Sequence, residues 1–124
     1  MNDKIYNIAI VDDTKEIIEM LSKSLSRSDK YKVSTYSNPL TAINNIDSKT
    51  DVVFLDIVMP QMDGLEALEK IVEKNPDIKV IMMTASSTLD RVLKAHKYGA
   101  THYIMKPFDS MDAIMKKLEL VISL

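Results

Sequence analysis

Short β-branched runs alternate along this chain with segments whose apolar residues recur every three to four positions, and no other feature constrains the fold as strongly. The short runs cover residues 8–11, 33–36, 52–55, 80–83 and 103–105. Each is too short for a stable helix and reads as a strand. Between them, Ile17, Ile18, Leu21 and Leu25 mark one face of a helix over about 14–26, and Leu40, Ile43 and Ile46 mark a shorter helix opening at Pro39. Leu65, Leu68, Ile71 and Val72 mark a third helix, and Leu89, Val92, Leu93 and His96 a fourth that stops at Gly99. Met111, Ile114, Leu118, Val121 and Ile122 mark the fifth.

The boundary residues agree with these periods. Asn38 precedes Pro39, Asp63-Gly64 opens the third helix, Asn75-Pro76 closes it, and Asp109 or Ser110 can cap the fifth. A strand-then-helix unit repeated five times predicts an α/β fold, a doubly wound parallel sheet with right-handed crossovers and helices on both faces. The strands at Ile8, Val52 and Val80 are almost continuously apolar, as central strands covered on both faces should be.

Bulk properties narrow the function. A length of 124 residues gives one domain over 1–124 and leaves no room for a second. The net charge of -2 provides no basic field for a phosphate backbone or an anionic membrane, so direct nucleic-acid and membrane partners are not expected. No apolar stretch approaches the roughly 18 to 20 residues needed to span a bilayer. The absence of cysteine removes disulfides and thiolate zinc sites and favours a cytoplasmic location, while the two histidines are too few for a usual structural zinc site.

In an open doubly wound sheet, ligands bind beyond the carboxyl ends of the strands. The residues just past each apolar run are Asp12 and Asp13, Asp56, Thr84 and Lys106, and all five should converge on one edge. Like charges about 4 Å apart at an effective dielectric near 20 cost on the order of 4 kcal/mol per pair. Three carboxylates together therefore imply a hard divalent cation, and Mg²⁺ takes one or two carboxylates, several waters and a phosphate oxygen. Asp56 is the best-placed nucleophile because it terminates a rigid buried strand; its carboxylate can accept a phosphoryl group if the developing charge is neutralised. Lys106 can neutralise it from one side, and the Thr84 hydroxyl and the Ala85 backbone N–H can donate to phosphoryl oxygens.

Four stretches resemble one family in order and spacing: Val11-Asp12-Asp13, the run 55–64 (Leu-Asp-Ile-Val-Met-Pro-Gln-Met-Asp-Gly), Thr84-Ala85, and the run 103–108 (Tyr-Ile-Met-Lys-Pro-Phe). They are similar to the signature elements of response-regulator receiver domains, CheY-like modules of two-component signalling, over essentially the whole chain. The resemblance implies a flavodoxin-like (βα)5 fold with strand order 2-1-3-4-5. It implies that Asp13, Asp56 and the Val58 carbonyl ligate Mg²⁺, with Asp12 acting through a metal-bound water. Asp56 would be the phosphoacceptor, Lys106 its ion-pair partner, and Thr84 with Tyr103 the switch pair. The Lys106-Pro107 bond would be cis. A histidine kinase or phosphotransfer protein would be the donor, and a downstream effector protein or domain the reader of the surface formed by the fourth helix, fifth strand and fifth helix.

Other readings fit less well. A phosphohydrolase with an aspartyl-phosphate intermediate needs a second acid two residues past the nucleophile, where this chain has Val58. A dinucleotide module needs a G-x-G-x-x-G turn, and neither of the two glycines follows the first strand. A phosphorylation-independent scaffold would be expected to have lost the acidic site. Valine at 58 cannot orient an attacking water, and Ser86 occupies the other position that bears on phosphoryl lifetime. The nine methionines read as core filler, and His96 and His102 as partly exposed structural residues.

Overall fold

The computed structural model describes residues 4–85 and 89–124. Its elements run β1 (Tyr6–Val11), α1 (Lys15–Leu25), β2 (Tyr31–Tyr36), α2 (Pro39–Asn45), β3 (Val52–Asp56), α3 (Gly64–Lys74), β4 (Lys79–Thr84), α4 (Leu89–Lys97), β5 (His102–Met105) and α5 (Met111–Ile122). All strands pair in parallel, in the order β2-β1-β3-β4-β5. The three nearly continuous apolar runs are the three central strands, as expected of strands shielded on both faces.

Side-chain alternation divides the core in two. Ala9, Val11, Val53, Leu55, Val80 and Met82 face α2, α3 and α4, where they meet Ala42, Leu68, Ile71 and Ala95. Ile8, Ile10, Val52, Phe54, Ile81 and Met83 face the other way, against Leu21 and Leu25 of α1 and Ile114, Leu118 and Val121 of α5.

The helix starts are chemically specified. Asn38, Asp63 and Ser110 each accept a backbone N–H of the first turn, from Leu40, Leu65 and Ala113. Thr14 makes no such bond with its side chain. Instead Asp12, two residues earlier, accepts the Thr14 N–H at 2.8 Å. Gly99, just past α4, has φ +108°, a conformation that L side chains rarely adopt.

Two expected helix faces are corrected. In α4, Leu93 is 56% exposed and His96 is exposed, whereas Ala95 is buried beside Ala100. The inward stripe runs through half-buried Val92 and Ala95, and Leu93 and His96 each lie about 100° further round the helix. A methyl group at 95 lets this short helix sit close to the sheet. Similarly α2 buries Pro39 and Ala42, with Ile46 just past its end, and leaves Leu40 about half exposed.

Candidate functional site

Register brings the polar strand ends together. Val11 pairs with Leu55, Asp56 with Met83, and Thr84 with Met105, so the residues at or just beyond these positions share one sheet edge. The ladder continues past the strands: the Asp12 N–H donates to the Tyr36 carbonyl, Ile57 N–H to Met83, and Lys106 N–H to Thr84 at 2.7 Å. Asp12, Asp56 and Lys106 each lie two residues beyond a residue packed in the α1/α5 core, namely Ile10, Phe54 and Ile104. By the period-two rule they leave the sheet on the same face. Thr84 has the parity of Met82, on the face covered by α3 and α4.

Asp12, Asp13 and Asp56 each offer one carboxylate oxygen, and these oxygens lie within 4.8 Å of one another. Asp12 is fully buried, Asp56 is 4% exposed, and Asp13 is exposed. Lys106 reaches into the cluster with its Nζ 2.6 Å from Asp12 Oδ2 and 3.5 Å from Asp56 Oδ1. The Lys106-Pro107 peptide bond is cis.

Burial, reinforced by the Asp12 charge, pushes the Asp56 carboxyl up to about 6. The Lys106 ammonium and the Val58 N–H, 3.3 Å from Asp56 Oδ1, oppose that rise, and Asp13 adds to it. One ammonium therefore does not compensate three carboxylates. Oxygen donors at this spacing, with one side open through Asp13, fit a hard divalent cation such as Mg²⁺.

The loop from β3 to α3 is closed at its neck. The Gly64 N–H donates to the Ile57 carbonyl at 2.7 Å, and a Cβ on Gly64 would overlap the Asp56 carbonyl oxygen and the Ile57 backbone. Its φ is ordinary, so close approach is the reason for glycine here. Val58, on this loop, is 63% exposed, while Ile57 and Met59 are buried and anchor the loop on either side of it. Tyr103, on the edge strand β5, is 45% exposed. Ser86 lies outside the described residues.

Sequence reasoning anticipated the convergence of Asp12, Asp13, Asp56 and Lys106, and the placement of Thr84 at the same edge. It missed the contact of Asp63 with Arg91 of α4, whose Nη2 donates to Asp63 Oδ1 at 3.0 Å. It also missed Asn75, a buried residue whose Nδ2 donates to the carbonyls of Asp47 and Thr50 and pins the loop before β3. The Asn-Pro pair signalled a helix end at that point but not this cross-link.

The model of the response regulator receiver domain matches residues 8–119. The chain is 42% identical over 113 residues to the chemotaxis protein CheY of Listeria monocytogenes, covering 90% of this chain and 94% of that protein. It is 39% identical over 106 residues to the DNA-binding transcriptional regulator NtrC of Escherichia coli, covering 85% of this chain but 22% of that regulator. Among solved structures, the non-phosphorylated HemR receiver domain of Leptospira biflexa superposes with a TM-score of 0.88 at 32% identity, covering 96% of this chain and 95% of that one. The chain belongs to the response regulator receiver domain family. It is a CheY-like receiver of two-component signalling, a class of phosphoacceptor domains rather than of conventional enzymes. Among the described residues, no helix is long and apolar enough to cross a membrane.

Proposed function

We propose that this receiver accepts a phosphoryl group on Asp56. The observation that carries the reading is a buried strand-end carboxylate with oxygens of two further carboxylates within 4.8 Å and an ammonium at 3.5 Å. An Asp56 oxygen attacks phosphorus, forming a P–O bond, while the bond from phosphorus to a phosphohistidine nitrogen breaks. The imidazole leaves with the electron pair and takes up a proton. The donor is accordingly a histidine kinase or a histidine phosphotransfer protein.

Asp13, Asp56 and the Val58 carbonyl are the residues that would hold Mg²⁺ directly, with Asp12 acting through a bound water. When bound, the ion supplies positive charge against the phosphoryl oxygens. Lys106 supplies charge from the protein itself, and the Thr84 hydroxyl and Ala85 N–H donate to the same oxygens. Val58 offers no side-chain hydrogen bond to an attacking water, so its side chain cannot orient that water for hydrolysis.

Output follows from a population shift. Reversing a 1:99 equilibrium takes about 5.5 kcal/mol of differential binding. A single charge-assisted hydrogen bond contributes roughly 1.5–3 kcal/mol, so Thr84 and Lys106 must act together with the cation. Thr84 moves toward the phosphoryl group, Tyr103 turns into the space left, and the α4–β5–α5 surface changes its preference for a downstream effector protein or domain.

The test is exposure to acetyl phosphate with Mg²⁺ or with chelator, for wild type and Asp56→Asn, read by intact mass and peptide mapping. Modification of Asp56 in the wild type, only with Mg²⁺, is expected. Labelling at another residue, or undiminished labelling in chelator, would overturn the assignment.

A further inference from the structure

Arg91 and Asp63 form an ion pair that the phosphoacceptor chemistry leaves unused. Asp63 Oδ1 does two things at once: it accepts the Leu65 N–H at 2.9 Å, capping α3, and it accepts Arg91 Nη2 at 3.0 Å from the first turn of α4. Asp63 also sits at the neck of the loop that carries Val58, beside the Gly64-to-Ile57 hydrogen bond that closes it. Ile57 in turn follows Asp56 directly and is tied to β4 through the Met83 carbonyl. A continuous set of short bonds therefore runs from α4 through Arg91, Asp63 and the loop neck to the carboxylate cluster.

The arginine is not an ordinary solvated surface group. Its side chain is 35% exposed, yet Nε is shielded from solvent and has no hydrogen-bond partner among the described residues. A solvated guanidinium would keep that N–H in water. Among the described residues the guanidinium bonds to Asp63 and leaves Nε unpartnered, so Arg91 is held toward Asp63 at the expense of one donor.

We propose that Arg91 is a positioning residue for the cation and phosphoryl site, acting through Asp63 to fix the neck of the loop that presents the Val58 carbonyl and to tie α4 to it. The inference rests on the Mg²⁺ and Asp56 reading given above. Because binding linkage is reciprocal, whatever Arg91 adds to cation affinity, cation binding adds to the hold on α4.

The test compares Mg²⁺ affinity, measured by titration of backbone amide shifts, in wild type, Arg91→Gln, Asp63→Asn, the double variant and Arg91→Lys. Asparagine caps a helix as well as aspartate does, so Asp63→Asn removes charge while keeping α3 capped. Each of Arg91→Gln and Asp63→Asn is expected to weaken Mg²⁺ binding about two- to fivefold, the range open to a half-exposed ion pair. The double variant should be no weaker than the worse single one, Arg91→Lys should recover most of the affinity, and the gap should narrow at about 0.5 M salt. Amides of α4 should shift with Mg²⁺ in the wild type and less in Arg91→Gln.

Unchanged affinity in Arg91→Gln, or losses that add fully in the double variant, would sink the proposal. If wild type binds Mg²⁺ and is labelled on Asp56 while Arg91→Gln behaves identically, only this inference falls. If wild type binds no Mg²⁺, the underlying reading falls with it.

Discussion

The Lys106 ammonium lies 2.6 Å from Asp12 Oδ2, closer than to any other carboxylate described, across 94 residues of sequence. Asp12 is fully buried and the Lys106 side chain is 15% exposed, and Asp12 spends its second oxygen on the Thr14 N–H. The pair therefore joins the end of β1 to the turn after β5 and holds one negative charge of the cluster in balance. Removing the lysine leaves Asp12 buried without its counter-ion and takes away the nearest positive charge from Asp56. Lys106→Met is expected to lose on the order of 2–3 kcal/mol at pH 7 in chelator, measured by urea unfolding. Lowering the pH to about 5 should recover part of that loss, because the Asp56 carboxyl, already raised to about 6 and no longer opposed by the lysine, takes up a proton and relieves its repulsion with Asp12.

Asp56 gives the fold an inverted pH response. Its carboxyl is raised from 3.8 to about 6, first by burial and then by Asp12, so the folded chain holds that proton more tightly than the unfolded chain does. The stabilisation this proton contributes is complete below about pH 4 and is lost as pH rises through 6. Unscreened, such a shift corresponds to about 3 kcal/mol at pH 7; solvent at the mouth of the site reduces it to on the order of 1–2 kcal/mol. In chelator, Asp56→Asn should match wild type near pH 4 and exceed it by that amount at pH 7. A difference between the two proteins that does not change with pH would contradict the assigned burial of charge.

Added Mg²⁺ should act in the opposite sense to rising pH. A ligand present at about 100 times its dissociation constant stabilises the state it binds by roughly 2.7 kcal/mol. Wild type at pH 7 should gain thermal stability progressively with Mg²⁺. Asp13→Asn should lose most of that gain with little effect on the metal-free fold, since Asp13 is exposed. Equal gains in the two proteins would place the cation elsewhere.

What was legible in the sequence was what depends on period and strand position. The end of an apolar run fixes where Asp12, Asp56, Thr84 and Lys106 emerge, and parallel topology brings those ends to one edge. Less legible were relations set by close packing. Counting large apolar residues placed Leu93 and His96 on the inner face of α4, where small Ala95 lies instead, because a helix drawn close to the sheet selects for size as well as polarity. Arg91 and Asp63 are 28 residues apart and look like ordinary surface charges. Nothing in their neighbours' periodicity distinguishes them from the other charged residues around them. Gly64 was legible as a helix start but not as a contact, since its crowding comes from the backbone of Asp56 and Ile57.

The two glycines separate damage to the site from damage to the fold. Gly99→Ala forces a side chain into φ +108° and brings its Cβ to 3.2 Å from Val72, at the far end of α4 from the carboxylates. It should cost about 1–2 kcal/mol of stability and leave Mg²⁺ affinity unchanged. Gly64→Ala meets no dihedral obstacle, but its methyl group would overlap backbone atoms of Asp56 and Ile57 that no rotamer change can move. The loop neck must open, breaking the Gly64-to-Ile57 hydrogen bond and shifting both the nucleophile and Val58. A loss of about 1–3 kcal/mol in stability is expected, similar in size to that of Gly99→Ala. The two variants should part company on Mg²⁺ titration and acetyl phosphate labelling, where Gly64→Ala alone fails. Normal labelling of a folded Gly64→Ala protein would show that the neck does not govern the geometry of the site.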